Sequence, residues 1–261
     1  MDSRLGAIIA VAAVGVASLA GGGANAAAST QAPPLSSSGW GAAIEVPGIA
    51  ALAPGGYAEI TSVSCGAAGN CTAAGDYGFH PGSPATEAFV VSQVGGTWHK
   101  AIEVPGTGAL NRGVEAQVTS VSCASAGNCS AGGYYLDGSS NFKSFVVSEV
   151  HGTWDQAIEV PGTAALNHGN ATLNSVSCVS AGNCSAGGSY FSSSPGVQAF
   201  VVSQANGTWH KAIEVPGTAV LNKGVQAHIL SVSCTSAGHC SAGGTYTDSS
   251  GVIQAFVVSQ T

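Results

Sequence analysis

The stretch SVSCASAGNCSAGG, residues 120–133, decides the fold because it recurs with small changes at 62–75, 175–188 and 231–244. Each copy places two cysteines five residues apart around a short Ala-Gly turn. Apolar β-branched residues lead into that turn and small residues lead out, which predicts two strands joined as a hairpin.

Working outward, the rest of the chain repeats in step. Trp40, Trp98, Trp154 and Trp209 follow one another at intervals of 58, 56 and 55 residues. Three residues after each tryptophan comes the string AIEVPG, which puts Glu45, Glu103, Glu159 and Glu214 in register. One full unit offers four β segments: VTSVSC (118–123), CSAGGYY (129–135), SFVVSEV (144–150) and TWDQAIEVP (153–161). Their hairpin-length links predict an antiparallel four-stranded meander, and a period above 50 residues built from four strands marks a propeller blade. The last unit, ending in AFVVSQT (255–261), has no TW..AIEVP segment after it, whereas GWGAAIEVPG (39–48) precedes the first SVSC. The expectation is therefore an all-β chain, a four-bladed β-propeller of four-stranded antiparallel blades over 39–261. Its blades would span about 58–105, 116–161, 171–216, and 228–261 plus 39–48, so that the N-terminal strand closes the last blade and removes exposed edges. No segment holds a sustained period of 3.6, so no helix is expected beyond the leader.

Residues 1–26 read as that leader. Arg4 supplies a positive start, LGAIIAVAAVGVASLA (5–20) an apolar run, and Ala24-Asn25-Ala26 a small-residue cleavage site. The run is short and broken by glycine, so a secretory signal peptide is preferred to an uncleaved anchor, and no membrane span is expected after cleavage. Residues 27–38, AASTQAPPLSSS, read as a flexible linker. Charged residues make up 7% of the chain, the net charge is -7, and Arg112 is the one arginine beyond the leader. A nucleic-acid partner would need a basic footprint, so that class is excluded.

All eight cysteines fall in four pairs: Cys65/Cys71, Cys123/Cys129, Cys178/Cys184 and Cys234/Cys240. An exported chain meets an oxidising compartment, and each pair flanks a hairpin turn, so disulfides within each pair are expected, acting as staples. Zinc sites favour shorter spacings with further ligands nearby, and redox catalysis favours C-x-x-C; neither pattern occurs. No cofactor and no metal are expected.

The repeat resembles that of a group of secreted bacterial proteins, mostly from actinobacteria, with the unit SVSCxSAGNCxAGGxYxDSSGxxQAFVVSExNGTWxxAIEVPG. The likeness covers about 39–261. It implies a β-propeller-like fold and extracellular placement, and it implies no activity and no catalytic residues.

Function is expected where the copies differ. The variable segments are GDYGFHPGSPATE (75–87), DGSSN (137–141), FSSSPG (191–196) and TDSSG (247–251), which contribute Asp76, His80, Asp137 and Asp248. Arg112, His168 and Lys223 share one inter-blade position, L-N-[RHK]-G, where the first copy has Pro54. Three basic side chains on one rim suit an acidic sugar or another anion, though turn residues after an Asn are also commonly just solvated. The recurring Glu residues could ring a cation, but a hydrogen bond within each blade is the preferred role. The tryptophans, Tyr77, Tyr135, Tyr190, Tyr246, Phe89, Phe145, Phe200 and Phe256 read as inter-blade packing. GTW after VVSQ is similar to the aspartate-box turn of sialidase-like propellers, but Val94, Val150 and Ala205 stand near where its Asp would be, and an arginine triad is missing. Neither G-x-S-x-G nor H-E-x-x-H occurs. The expected function is a secreted non-catalytic recognition or scaffold module binding carbohydrate or cell-envelope material. The alternatives are a glycoside hydrolase or lyase using Asp76, Glu87 or Asp137 as a carboxylate pair, and a purely structural surface protein. Oligomeric state is not legible.

Overall fold

The computed structural model describes residues 39–80, 82, 85–192 and 196–260. The expected signal peptide and linker lie outside them. The described residues from Ile44 onward form one compact unit.

The compact unit begins with a single helical turn, α1 (Ile49–Leu52), and then repeats one pattern. The first repeat holds β1 (Ala58–Ala67), β2 (Asn70–Gly78), β3 (Thr86–Val94) and two short pieces, β4 (Thr97–Trp98) and β5 (Ile102–Glu103). The second holds α2 (Thr107–Leu110), β6 (Ala116–Ser125), β7 (Asn128–Leu136), β8 (Phe142–Val150), β9 (Thr153–Trp154) and β10 (Ile158–Glu159). The third holds α3 (Thr163–Leu166), β11 (Ala171–Ser180), β12 (Asn183–Phe191), β13 (Val197–Ala205), β14 (Thr208–Trp209) and β15 (Ile213–Glu214). The fourth holds α4 (Thr218–Leu221), β16 (Ala227–Ser236), β17 (His239–Thr247) and β18 (Ile253–Ser259). Each repeat is one antiparallel sheet.

The quoted stretch forms the hairpin expected of it. In β6–β7 the turn is Ala126-Gly127, and Gly127 takes a positive φ of 66°. A register shift lies between Cys123 and Ser125, as a turn with a bulged glycine requires. Gly127 is also needed for space, because a Cβ there would come within 2.8 Å of the Gly152 nitrogen. That nitrogen donates to the Gly127 carbonyl at 2.8 Å and ties the two turns of the repeat together. The cysteines of each pair sit directly opposite each other. All four expected disulfides are present: Cys65–Cys71, Cys123–Cys129, Cys178–Cys184 and Cys234–Cys240, with Cα separations of 3.9–4.0 Å.

The bridges do more than staple their hairpins. The second cysteine of a pair also belongs to the joint with the preceding repeat. Cys184 is 5% exposed and lies in the core that Val146 of the second repeat shares with Leu173, Val176 and Phe200 of the third. Its Sγ is 3.4 Å from Ser130 Oγ of the second repeat, and the hydroxyl must donate because a disulfide sulfur carries no hydrogen. Cys129 meets Thr72 Oγ1 at 3.4 Å and Cys240 meets Ser185 Oγ at 3.2 Å in the same way. The spacing of Cys178 and Cys184 fixes which sulfurs bond, whereas the buried place of Cys184 is made by a sheet about 55 residues earlier in the chain.

Two local expectations are corrected. The expected fourth strand is split. In the second repeat Trp154 pairs with Glu149 and Ile158 pairs with Val146, but Ala157 between them turns its N–H to Pro105 of the preceding repeat, at 2.7 Å. The same bond joins Ala101 to Pro47 and Ala212 to Pro161. A strand that shares its donors between two sheets cannot run unbroken along either. The described residues also contain four single helical turns, α1–α4, each entered through a Gly at φ between 81° and 88°. Four residues are too few to leave a 3.6-residue period in the sequence.

The sheets pack in chain order: β1 on β6, β6 on β11, β11 on β16. An interior sheet is therefore buried on both faces, which is why FVV is continuously apolar. Phe145 and Val147 of β8 join a core with the first repeat, while Val146 between them joins a core with the third. A ladder of serines reinforces each joint. Val121 and Cys123 N–H donate to Ser62 and Ser64 Oγ, Val176 and Cys178 to Ser120 and Ser122, and Val232 and Cys234 to Ser175 and Ser177, at 2.9–3.1 Å.

The fourth sheet has three strands, β16–β17–β18. The expected N-terminal strand is not part of it: residues 44–48 lie along the first repeat, with the Pro47 carbonyl held by Ala101, and carry no strand. Pro47 is already committed to the joint that Pro105 and Pro161 make further along, so the segment belongs to the start of the row.

Candidate functional site

The variable segments meet the inter-repeat loops at one edge of the sheets. Between repeats one and two, Thr86 N–H donates to the Val114 carbonyl at 3.0 Å, and Gly113 N–H to Leu136 at 2.8 Å. Between repeats three and four, Val197 N–H donates to Val225 and Gly224 N–H to Thr247, both at 2.8 Å. A short parallel bridge forms at each of these joints, Thr86 with Glu115 and Val197 with Gln226. Each loop that differs between copies is thus pinned by backbone bonds to a loop that carries a basic residue.

Arg112, His168 and Lys223 are all exposed on these loops. The Asn before each is buried and does structural work. Asn111 Nδ2 donates to the Thr86 carbonyl at 3.1 Å and to Glu87 Oε1 at 2.9 Å, while its Oδ1 accepts from Glu115 N–H at 2.7 Å. Asn222 likewise reaches the Val197 carbonyl at 3.0 Å. The Asn locks the loop and the next residue is turned to solvent. Lys223 Nζ reaches only the Ala219 carbonyl of its own helical turn, at 3.4 Å. Lys143 adds a further cation at this edge, bonded to the Gly169 carbonyl at 3.2 Å and 3.8 Å from Asp137.

The acidic candidates are spoken for. Asp76 is buried on β2, where it accepts from Tyr57 Oη at 3.1 Å and from Gln117 Nε2 at 2.6 Å. Burial, with the Asp76 charge behind it, pushes the Tyr57 phenol up to about 12. Asp137 closes its own loop by accepting from Ser139 and Asn141 N–H at 2.8 and 3.0 Å. Asp248 does the same with Ser250 and Val252 N–H and also accepts from Gln254. The Ser250 hydroxyl, then Gln254, hold its carboxyl down at about 2. Each of these carboxylates thus has partners within the chain. His80 is exposed just after β2.

Glu87, expected in the sequence only as one member of a carboxylate pair, also lies at this edge. Glu87 stands where the other repeats have Lys143, Gln198 and Gln254. Its Oε1 accepts from Asn111, while its Oε2 is buried without a hydrogen-bond partner. Burial lifts Glu87 to about 7, the Asn111 bond pulls the other way, and the Glu103 charge adds to the rise. Glu103 in turn accepts from Tyr77 Oη at 3.3 Å. The signal in the sequence was the lone acid at a position otherwise basic or amide.

Three of the recurring glutamates bond to a tyrosine of their own repeat. Tyr77 donates to Glu103, Tyr135 to Glu159 at 3.4 Å and Tyr190 to Glu214 at 2.7 Å. Among the described residues no cluster of three His, Cys, Asp or Glu side chains could hold a metal ion. Clefts open between sheets; one of about 320 Å³ between repeats one and two is lined by Ser92, His99, Lys100, Glu149 and Trp154. Glu149 is buried there and its carboxyl is raised by that burial, against a hydrogen bond from Ser92.

No protein-family model matches the chain, and no curated protein matches it.

Proposed function

We propose that the chain is an exported, non-catalytic recognition or scaffold module whose four sheets are the blades of a propeller-like array. Its variable-loop edge binds an anionic carbohydrate or similar acidic cell-envelope polymer. The observation that carries this reading is the solvent-facing series Arg112, His168 and Lys223, presented at one loop position of successive repeats by buried asparagines. Four disulfides suit an oxidising compartment, and no helix among the described residues is long and apolar enough to cross a membrane. The likeness to secreted actinobacterial repeat proteins points the same way. The net charge of -7 opposes an anion at long range. At physiological salt that field is screened beyond about 8 Å, so the local row of cations decides.

The test is a glycan array and cell-wall preparations probed with the exported protein, alongside Arg112→Ser/His168→Ser/Lys223→Ser. Binding to acidic glycans that weakens with salt and is lost in the triple variant is expected. A wild type that binds nothing sinks the ligand and favours a purely structural surface protein.

A second reading, an extracellular glycoside hydrolase or lyase, is favoured by Glu87 alone. A carboxyl near neutrality beside a second carboxylate, Glu103, is the arrangement of a general acid and its partner. Turnover of a chromogenic glycoside that Glu87→Gln abolishes would establish it.

A further inference from the structure

Among the described residues no other sheet packs on the outer faces of the first and fourth sheets, and each of these faces is the counterpart of one covered at the internal joints. At the joints Val118, Leu173 and Ile229 are fully buried against the preceding sheet. Leu173 sits over Gly132, where a Cβ would come within 2.9 Å of its side chain, and Ile229 sits over Gly187 in the same way, at 2.7 Å. Ile60 holds this position in the first sheet and is 36% exposed, with Val63 beside it at 57%. At the other end, Gly243 matches Gly132 and Gly187, and only its own sheet comes near it. Val257 on β18 is 87% exposed, whereas its counterparts Val90 and Val146 are fully buried and Val201 is partly buried.

The polar groups left over also match. Ser231 and Ser233 are exposed and meet no donor among the described residues, while Ser62, Ser64, Ser120, Ser122, Ser175 and Ser177 each accept one. The Val63 and Cys65 amides hold the donor positions and have no preceding sheet. Among the described residues Tyr246 meets no glutamate, the fourth sheet holding three strands, and Glu45 meets no tyrosine. Residues 44–48 stand to the first repeat as 102–106 stand to the second, through the bonds from Ala101 to Pro47 and from Ala157 to Pro105.

We propose that copies of this chain associate head to tail, the first sheet of one copy and its residues 44–48 docking on the fourth sheet of the next. The joint repeats the internal ones: Ile60 packs on Gly243, Val63 and Cys65 N–H donate to Ser231 and Ser233, and Tyr246 donates to Glu45, which pairs beside Phe256. Such a heterologous contact builds a ring or an open filament. One feature differs from the internal joints. Thr61 and Thr119 donate to Val118 and Leu173 carbonyls, and Asn174 to Ile229, but the fourth repeat has Leu230 there and cannot. The contact between copies therefore lacks one hydrogen bond and is reversible.

The test is sedimentation of the full chain, expressed with its own N-terminus in a host that exports it. Val63→Asp spoils only the head and Val257→Asp only the tail, both at solvent-facing positions that leave the fold intact by circular dichroism. The wild type is expected to assemble with rising concentration, and each variant to remain monomeric. An equal mixture of the two should form a one-to-one dimer and nothing larger, because one good head meets one good tail. A wild type monomeric up to about 1 mM overturns the proposal, including the case in which Val257 is covered by the chain's own N-terminal segment. So does an assembly that the variants leave unchanged, or a mixture that stays monomeric.

Discussion

Single residues in this chain do different work at equivalent positions, and Glu87 shows it most sharply. Its carboxyl is raised to about 7, mainly by burial, against a value near 4.5 in the unfolded chain. The folded state therefore holds its proton over a window where the unfolded chain releases it. Stability from this group is fully present below about pH 4.5 and is lost as pH rises towards 7. Glu87→Gln keeps an oxygen for Asn111 Nδ2 and removes the charge. It should flatten the pH dependence across that window and stabilise the protein at pH 8 by on the order of 1 kcal/mol, discounted because solvent still screens a partly buried carboxyl. Thermal unfolding from pH 4 to 8 checks this; an unchanged pH profile would place Glu87 in ordinary solvent. The sequence marked Glu87 as an outlier among the repeats, but its orphaned oxygen depends on Asn111 and Glu103 reaching it from two other segments. The same holds for Asp76: a loop-edge acid in the sequence is a buried acceptor in the fold, because Tyr57 and Gln117 arrive from outside its own hairpin.

At the scale of elements, what was legible was what local chemistry decides. The hairpin around Ala126-Gly127 follows from a two-residue turn, a positive-φ glycine and facing cysteines, all within fourteen residues of sequence. The split of the expected fourth strand was illegible because it is made by the preceding repeat, whose Pro105 carbonyl takes the Ala157 N–H. The burial of Cys184 against Ser130 was illegible for the same reason, although its bond to Cys178 was not. The staples can be weighed at this scale. Each disulfide closes a seven-residue loop, and the chain-entropy estimate for such a loop is about 2.4 kcal/mol. Replacing Cys123 and Cys129 together by Ala should lower unfolding free energy by roughly that amount while the turn and ladder keep the register. Denaturant unfolding with amide exchange across β6 and β7 separates the two effects. Loss of protection in that hairpin alone would show the bridge, rather than the turn, sets its register.

For the whole molecule, the consequence of stacking sheets in a row is that identical positions carry unequal energies. Stability in such arrays is a sum of units and nearest-neighbour joints. Leu173 and Ile60 occupy the same place in their repeats, yet Leu173 is fully buried between β7 and β11 while Ile60 faces outward. Leu173→Ala removes the branched side chain packed over Gly132 and should cost about 2–5 kcal/mol. Ile60→Ala should cost less than about 1 kcal/mol, since little apolar area leaves a dry environment. The comparison must be made on dilute protein, where copies are apart. Under those conditions equal losses at the two sites would mean that Ile60 is already covered within one chain, as a closed ring of four sheets would have it. Unequal losses that converge as the protein is concentrated would mean that a second copy covers Ile60, and would tie the energetics of the end face to the assembly it builds.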